Sequence, residues 1–216
     1  MKSYTISLLL SLLFVAINLP AQDFKVIEET KDYILKVADS GYYYAHGLPP
    51  KDDFVLDTTK IHKVNGVLKL PLDNGKEVVF RDTYDTNDYA DFGYTYKGFN
   101  KKANCYLVLG LHKIDFIKYL LVYKTNGNID TCRMNPVYSP KVKNYGYFII
   151  EEYPEGGNII FKNLKTQKTV KIKINKEFPV DFRWIDNKKF VFYTCHWNDP
   201  HKHIKLREYY LVQIKQ

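Results

Sequence analysis

Short apolar and aromatic runs, separated by turn residues, recur along almost the whole chain. Each run has four to eight residues and is rich in Val, Ile, Tyr and Phe, which favour an extended backbone on a half-buried sheet. Turn sequences such as Asp73-Asn74-Gly75 and Thr125-Asn126-Gly127 follow some of the runs and predict tight hairpins, because Asn and Gly tolerate positive φ. The aromatic content of 16% also favours strands over helices. The sequence therefore predicts an all-β fold of stacked antiparallel sheets.

Twelve segments carry this strand signal, and no segment beyond residue 22 predicts a long helix. The predicted strands are Tyr33–Val37, Gly41–Ala45, Val67–Leu70, Glu77–Arg81, Gly93–Tyr96, Asn104–Leu111, Tyr119–Tyr123, Tyr147–Ile150, Asn158–Lys162, Thr169–Ile174, Phe190–Thr194 and Glu208–Ile214.

The strands follow a repeat. Segments that begin at Asp91, Asn135 and Pro179 start 44 residues apart, and each has an aromatic residue, a polar turn and two apolar strands joined by a polar loop. A period in the forties is typical of propeller blades, each of which buries its faces against its neighbours. We predict one repeat domain over residues 23–216 with about four small blade-like units, closed into a propeller or left open as a stack of sheets. The units are a divergent first one at 25–82 and further ones near 91–131, 135–174 and 179–214.

The second unit carries a resemblance to a known repeat. Pro136–Pro140, Tyr147–Ile150 and Asn158–Leu164 together resemble the WD40-like repeat of periplasmic TolB-type β-propellers, and Phe182–Asn187 occupies the place of the aromatic turn in the third unit. Lys141-Val142 stands where that repeat has Asp-Gly. The resemblance covers residues 91–214 and implies a propeller-like fold with protein contacts in the cell envelope.

The amino end has the pattern of an export signal. Lys2 precedes an apolar run of 12 residues at 6–17, and Leu19 and Ala21 fit positions −3 and −1 of a cleavage site. No Cys follows the run, so a lipid anchor is not expected, and the run is short for a membrane span. The sequence predicts a signal peptide at 1–22 and a periplasmic or secreted protein without a transmembrane segment in the mature chain.

Positive charge is concentrated in the last part of the chain. Residues 23–134 hold 16 basic and 16 acidic residues, whereas residues 135–216 hold 15 basic and 8 acidic residues. Export disfavours nucleic acid as the partner. The excess indicates an acidic protein surface or an anionic envelope glycan, or else contributes to solubility alone.

Tyr and Trp in predicted loops are the candidate binding residues, because their stiff amphipathic side chains favour protein interfaces. These residues are Tyr84, Tyr89, Tyr153 and Trp197. The tyrosines at 42–44 and 209–210 lie in predicted strands, where packing is the ordinary role. Alternation predicts that at least one of Tyr42, Tyr43 and Tyr44 belongs to the core.

Three histidines form the most metal-like cluster. His201 and His203 share a face if their segment is a strand, and a turn at Asn198–Pro200 would bring His196 beside them, so that three imidazoles could hold zinc or copper. The alternative is a solvated hairpin tip. The acidic stretch Asp82–Asp91 could collect calcium but lacks the EF-hand pattern, and no sequence motif indicates a cofactor.

No catalytic residue is assigned. Beyond residue 22 the serines are Ser40, expected in a hairpin turn, and Ser139, expected in a Ser-Pro turn, and neither lies in a nucleophile elbow. Cys105 and Cys195 lie in apolar strands and Cys132 in a connection, so inert thiols or one disulfide with one thiol left over are expected. A hydrolase would need a pair of carboxylates, for which the candidates are Asp85, Asp88, Glu151 and Glu152.

These patterns favour an exported, non-catalytic binding module that engages a protein partner in the cell envelope. A specific form of this hypothesis is an inhibitor or immunity protein that neutralises a toxin or hydrolase acting in the envelope. The alternatives from other classes are a surface hydrolase acting on glycans or peptides, and a metal-binding or purely structural envelope protein.

Overall fold

The computed structural model describes residues 23–51, 53–83, 92–112, 117–150, 157–174, 178–195 and 207–215. The predicted signal peptide at 1–22 lies outside these residues.

The described residues form sixteen strands and one short helix, α1 (Ser40–His46). The strands are β1 (Val26–Glu29), β2 (Tyr33–Ala38), β3 (Lys63–Val64), β4 (Val67–Pro71), β5 (Glu77–Arg81), β6 (Phe92–Asn100), β7 (Cys105–His112), β8 (Ile117–Tyr123), β9 (Ile129–Cys132), β10 (Val137–Tyr138), β11 (Asn144–Ile150), β12 (Gly157–Asn163), β13 (Thr169–Ile174), β14 (Phe178–Trp184), β15 (Lys189–Cys195) and β16 (Arg207–Ile214).

Four antiparallel sheets follow one another along the chain, which confirms the all-β prediction. Sheet 1 has the order β3-β4-β5, sheet 2 the order β6-β7-β8-β9, and sheet 3 the order β10-β11-β12-β13. Sheet 4 has the order β1-β2-β16-β15-β14, so both ends of the chain contribute to it. The residues predicted as one divergent first unit, 25–82, are thus divided between sheet 4 and sheet 1.

Apolar faces join neighbouring sheets in chain order. The core between sheets 1 and 2 includes Leu68, Leu70, Val108 and Val122, all fully buried. Cores of the same kind lie between sheets 2 and 3 and between sheets 3 and 4. Among the described residues these contacts form a row of sheets, and no closed propeller ring is seen. The members of the last two cores include Cys105, Leu107, Leu121, Cys132, Tyr138 and Tyr145, and then Ile159, Phe161, Ile172, Phe182, Trp184, Phe190, Phe192 and Val212.

Residues 40–46 form a helix, so the strand predicted at Gly41–Ala45 is wrong. The side chain of Asp39 accepts a hydrogen bond of 2.7 Å from the Tyr42 N–H, which caps the helix. One face of α1 then packs on sheet 4 and buries Tyr43 completely, while Tyr44 stays 57% exposed. Ser40 is the first residue of this helix rather than part of a hairpin turn.

The segment after α1 crosses the edge strands of three sheets. The N–H of Leu48 donates to the carbonyl of Trp184 in β14, the ring of Phe54 lies 5.8 Å from that of Tyr138 in β10, and Val55 pairs with Phe99 in β6. The bulge at Gly98 allows this approach, because its φ is +142° and a Cβ there would lie 2.9 Å from the Cβ of Phe54.

Seven short connections, β1–β2, β4–β5, β6–β7, β8–β9, β10–β11, β12–β13 and β14–β15, meet at one end of the stack, which we call the tight-turn end. Backbone bonds join neighbouring turns there: Asp73 donates to Lys124, Lys124 to Asn104, and Leu164 to Lys143. The two predicted hairpins belong to this end, where Gly75 and Gly127 have φ of +80° and +77°. The turns span residues 30–32, 72–76, 101–104, 124–128, 139–143, 164–168 and 185–188.

The strand ends that flank the undescribed stretches 84–91, 113–116, 151–156, 175–177 and 196–206 lie at the opposite end, since each strand runs away from its tight turn. Along the part of the chain described, no helix has the length and apolar character needed to cross a membrane.

Candidate functional site

A cluster of tyrosines and arginines covers the outer face of sheet 4, on the side away from sheet 3. We call it the aromatic–arginine patch and define it as Tyr44, Tyr193, Tyr209, Arg183 and Arg207. It is assembled from α1, β14, β15 and β16, so four separated parts of the sequence contribute. Antiparallel pairing places Tyr193 directly opposite Tyr209, with ring centroids 5.7 Å apart.

Buried Tyr43 anchors the patch. Its ring lies 5.6 Å from that of Tyr193 and 5.4 Å from that of Tyr209, and its hydroxyl donates to Oδ2 of Asp181 in β14. Burial and the hydrogen bond to Asp181 raise the pKa of Tyr43 well above its ordinary value. The hydroxyl therefore remains a donor throughout the physiological pH range and fixes α1 on the sheet.

The arginines lie against aromatic rings. The guanidinium carbon of Arg183 is 4.8 Å from the ring centroid of Tyr43 and 5.9 Å from that of Tyr44, while Nε of Arg183 donates to Asp181 at 3.0 Å. The guanidinium of Arg207 lies 5.1 Å from the ring centroid of Tyr193. Stacking of this kind holds the side chains in place, so little rotamer entropy is lost when a ligand covers them.

The groups on the patch are of the kinds that proteins often use to bind one another. The patch presents aromatic faces, phenol hydroxyls and guanidinium groups, which are the groups enriched at the centres of protein interfaces. Asp181, which lies beside the patch on β14, is already engaged by Tyr43 and Arg183. The cation of Arg207 is exposed, so a carboxylate or a carbonyl oxygen on a partner would suit this surface.

A second polar cluster joins sheets 2 and 3 beneath a cleft. Asp130 accepts two hydrogen bonds from Nζ of Lys162, at 2.6 and 2.7 Å, and further ones from the hydroxyls of Tyr123 and Tyr145, at 2.7 and 3.2 Å. Burial alone would raise the pKa of Asp130, but the bonds from Lys162 and Tyr123 outweigh burial and hold that pKa below its ordinary value. Asp130 is therefore an ionised structural acceptor at neutral pH and a poor general acid.

Burial makes the two thiols in the core between sheets 2 and 3 chemically inert. Burial raises the pKa of Cys105 to about 11 and that of Cys132 to about 12, so neither is a thiolate at neutral pH. The sulfur of Cys105 lies 3.2 Å from the hydroxyl of Tyr138, and Cys105, Cys132 and Cys195 all carry free thiols. The disulfide considered from the sequence is not formed.

The residues predicted from the sequence to bind a partner lie outside the described residues. These are Tyr84, Tyr89, Tyr153 and Trp197. The same holds for the metal candidates His196, His201 and His203, and for the carboxylates Asp85, Asp88, Glu151 and Glu152. Within the described ranges no group of three or more His, Cys, Asp or Glu side chains could hold a metal ion. Ser139 accepts turn hydrogen bonds from the N–H groups of Lys143 and Asn144, as expected for a turn residue.

Sequence reasoning reached the patch only in part. It singled out the tyrosines at 42–44 and 209–210, and Tyr43 is the one that enters the core, but it missed Arg183 and Arg207 as members of one surface. The available signal was the recurrence of Tyr in β15 and β16. Because strand register brings Tyr193 beside Tyr209, the surface could not be assembled without the pairing.

Comparison with known proteins adds no assignment: no protein-family model and no curated protein matches the chain.

Proposed function

We propose that this chain is an exported, non-catalytic binding module that engages a protein partner in the cell envelope through the aromatic–arginine patch and the loops beside it. One observation carries the proposal: Tyr44 and Arg207 are exposed on a surface whose underlying helix is fixed to sheet 4 by the hydrogen bond from Tyr43 to Asp181. Preorganised aromatic and guanidinium groups are typical interface hot spots.

The position of the patch supports the same function. Tyr193 lies two residues before Cys195, where β15 ends, and Tyr209 lies two residues after Arg207, where β16 begins. The stretch 196–206, which contains Trp197, connects these two strand ends. The strand ends that flank 84–91 and 151–156, the stretches with Tyr84, Tyr89 and Tyr153, lie at this end of the stack. A partner that contacts the patch would thus lie beside the strand ends that flank 196–206.

The architecture we infer for the module is an open, propeller-like stack of four blade-like units, related to the TolB-type repeat that the second unit resembles. The chain order of sheets 1 to 4 supports this architecture. Strands β1 and β2 from the amino end complete sheet 4, which also supports this architecture. Pairing the two ends of the chain within one sheet holds the stacked units together.

Site-specific photocrosslinking tests the function. A photoreactive phenylalanine analogue replaces Tyr44 in cells that produce the protein, and the control carries the same analogue at Val79, which is 41% exposed on the outer face of sheet 1. We expect one protein to be crosslinked from position 44 and not from position 79. Equal crosslinking at both positions, or none at position 44, contradicts the proposal.

The purified partner then allows a quantitative measurement. Tyr44→Ala and Arg207→Ala should each weaken binding about 10-fold or more, as for hot-spot residues. Lys69→Ala, on the exposed face of sheet 1, should leave the affinity within about 2-fold. Equal affinities for the wild type and both patch variants would exclude the patch as the binding surface.

A further inference from the structure

The tight-turn end of the stack is strongly basic. Nine exposed lysines lie in its seven turns, and the turns contain no arginine and no aromatic residue among the residues described. Three further lysines, Lys124, Lys189 and Lys215, are half-buried in or beside these turns. The exposed ones are Lys31, Lys76, Lys101, Lys102, Lys141, Lys143, Lys165, Lys168 and Lys188.

Few carboxylates offset this charge. Asp32 pairs with Lys168, Asp73 lies 2.7 Å from Nζ of Lys124, and Glu29 lies 2.6 Å from Nζ of Lys215. Asp186 accepts hydrogen bonds from the N–H groups of its own turn. The lysines come from all four sheets, so the positive surface extends across the whole end of the stack instead of forming one compact anion site.

A polar cleft opens at the same end. It has a volume of about 630 Å³ and lies between the turns of sheets 2 and 3. Asp130 lines this cleft and is paired with Lys162, so that their charges neutralise one another. The side chains that line the cleft are those of hydrogen-bonding residues, Lys102, Thr125, Asn126, Asn128, Asp130 and Gln167, together with apolar parts of Ala103, Tyr123, Ile129, Val142 and Leu164.

We propose that the tight-turn end binds an acidic polysaccharide, with sugar units seated in the cleft and the carboxylate or sulfate groups on the surrounding lysines. Amide and hydroxyl side chains can donate to and accept from sugar hydroxyls, and the apolar parts of the lining can contact the ring faces. Lysines spread over separate turns match an anion that repeats along a chain, since a flexible ammonium needs no fixed geometry.

Other polyanions fit this surface less well. Single-stranded nucleic acid is held largely by base stacking on aromatic side chains and arginine, and the described turns present neither. Proteins that bind an anionic membrane present apolar side chains that insert between the lipids. The centre of this lysine surface is instead a concave cleft lined by hydrogen-bonding side chains.

Binding of defined polymers to the purified protein tests the proposal. The immobilised probes are polygalacturonate and dextran sulfate, with neutral dextran, a DNA oligonucleotide and vesicles containing phosphatidylglycerol for comparison. We expect at least one acidic polysaccharide to bind at least 10-fold more tightly than every comparison probe, with an affinity that falls as salt is raised. Absence of polysaccharide binding, or equal or tighter binding of DNA or vesicles, overturns the proposal.

Variants of two kinds distinguish binding in the cleft from general electrostatic attraction to a positively charged protein. The triple variant Lys102→Glu, Lys141→Glu, Lys165→Glu should lower the affinity at least 10-fold. The control triple Lys25→Glu, Lys60→Glu, Lys97→Glu, at exposed positions outside the turns, should change it less than 3-fold. Thr125→Tyr narrows the cleft without changing the charge and should weaken binding about 5-fold or more. Equal losses in the two triple variants, or full affinity in Thr125→Tyr, contradict the assignment.

Discussion

The carboxylate of Asp130 is held by donors from two different sheets. Tyr123 belongs to sheet 2, and Tyr145 and Lys162 belong to sheet 3, so this single side chain ties the middle of the stack together. The side chains of Lys162 and Asp130 are 13% and 21% exposed, which places the ion pair where water screens it only weakly. Removing one partner leaves the other charge buried without compensation.

We predict that Asp130→Asn lowers the free energy of unfolding by about 2 kcal/mol at pH 7. The folded-state pKa of Asp130 is depressed, so the stability that its ionised form contributes is fully present above the unfolded pKa of about 3.9 and is lost as the pH falls through the folded value. The difference between wild type and variant should therefore shrink below about pH 4. Urea unfolding at a series of pH values measures it.

The control for this prediction is Glu77→Gln. Glu77 lies 3.4 Å from Lys69, but the two side chains are 45% and 60% exposed, and exposed pairs contribute little. A loss as large as that of Asp130→Asn, or a difference that stays constant down to pH 2, would contradict the assigned role of Asp130.

At the scale of the element, the sequence predicted eleven of the sixteen strands, because those strands have the alternation or the continuous apolar run that a sheet requires. The strand β14 was not recognised, since Pro179 and the bulge between Pro179 and Asp181 interrupt its pattern. The strands β1, β3, β9 and β10 were missed because they have two to four residues each.

The helix α1 shows why local pattern was insufficient for the candidate site. Tyr42-Tyr43-Tyr44 has good strand propensity, and the competing signal was the capping residue Asp39 followed by Ser40 and Gly41. Packing on sheet 4 decided between the two, because Tyr43 finds Asp181, Tyr193 and Tyr209 there. Those partners are more than 130 residues away in sequence, so the residues around Tyr43 alone could not identify them.

We predict that Asp39→Ala lowers the free energy of unfolding by about 1 kcal/mol, because the Tyr42 N–H loses its acceptor. Asp39→Asn should cost less than about 0.5 kcal/mol, since Asn caps helices as well as Asp does. Thermal or urea unfolding of the two variants makes the comparison. Similar losses for both would mean that the charge of Asp39, rather than the cap, stabilises α1.

The fold of the whole molecule depends on the pairing of β2 with β16, which joins the two ends of the chain in sheet 4. We call this pairing the seam. Strand β2 pairs with β16 from Ala38↔Tyr209 to Tyr33↔Ile214, and its Tyr33 and Leu35 enter the core between sheets 3 and 4. The neighbouring β1 contributes no buried residue, and its Ile27 is 49% exposed. The amino-terminal strands thus differ sharply in how much they contribute to the core.

We predict that Leu35→Ala lowers the free energy of unfolding by about 2–4 kcal/mol, because it leaves a cavity at this seam. Ile27→Ala should cost less than about 0.5 kcal/mol, since its side chain is exposed. Urea unfolding with an unchanged m-value reports the difference. If the two substitutions had equal effects, the seam would not be part of the cooperative core.

The joining of β2 to β16 also dictates when the protein can be completed. The partner of Ala38 is made 171 residues later, so at ordinary rates of translation roughly 10–30 s pass before sheet 4 can close. Until then the apolar side chains of Tyr33 and Leu35 have no cover from β16. Sheets 1 to 3 consist of consecutive strands and can form as the chain emerges, whereas β1 and β2 must wait for the last strand before sheet 4 is complete.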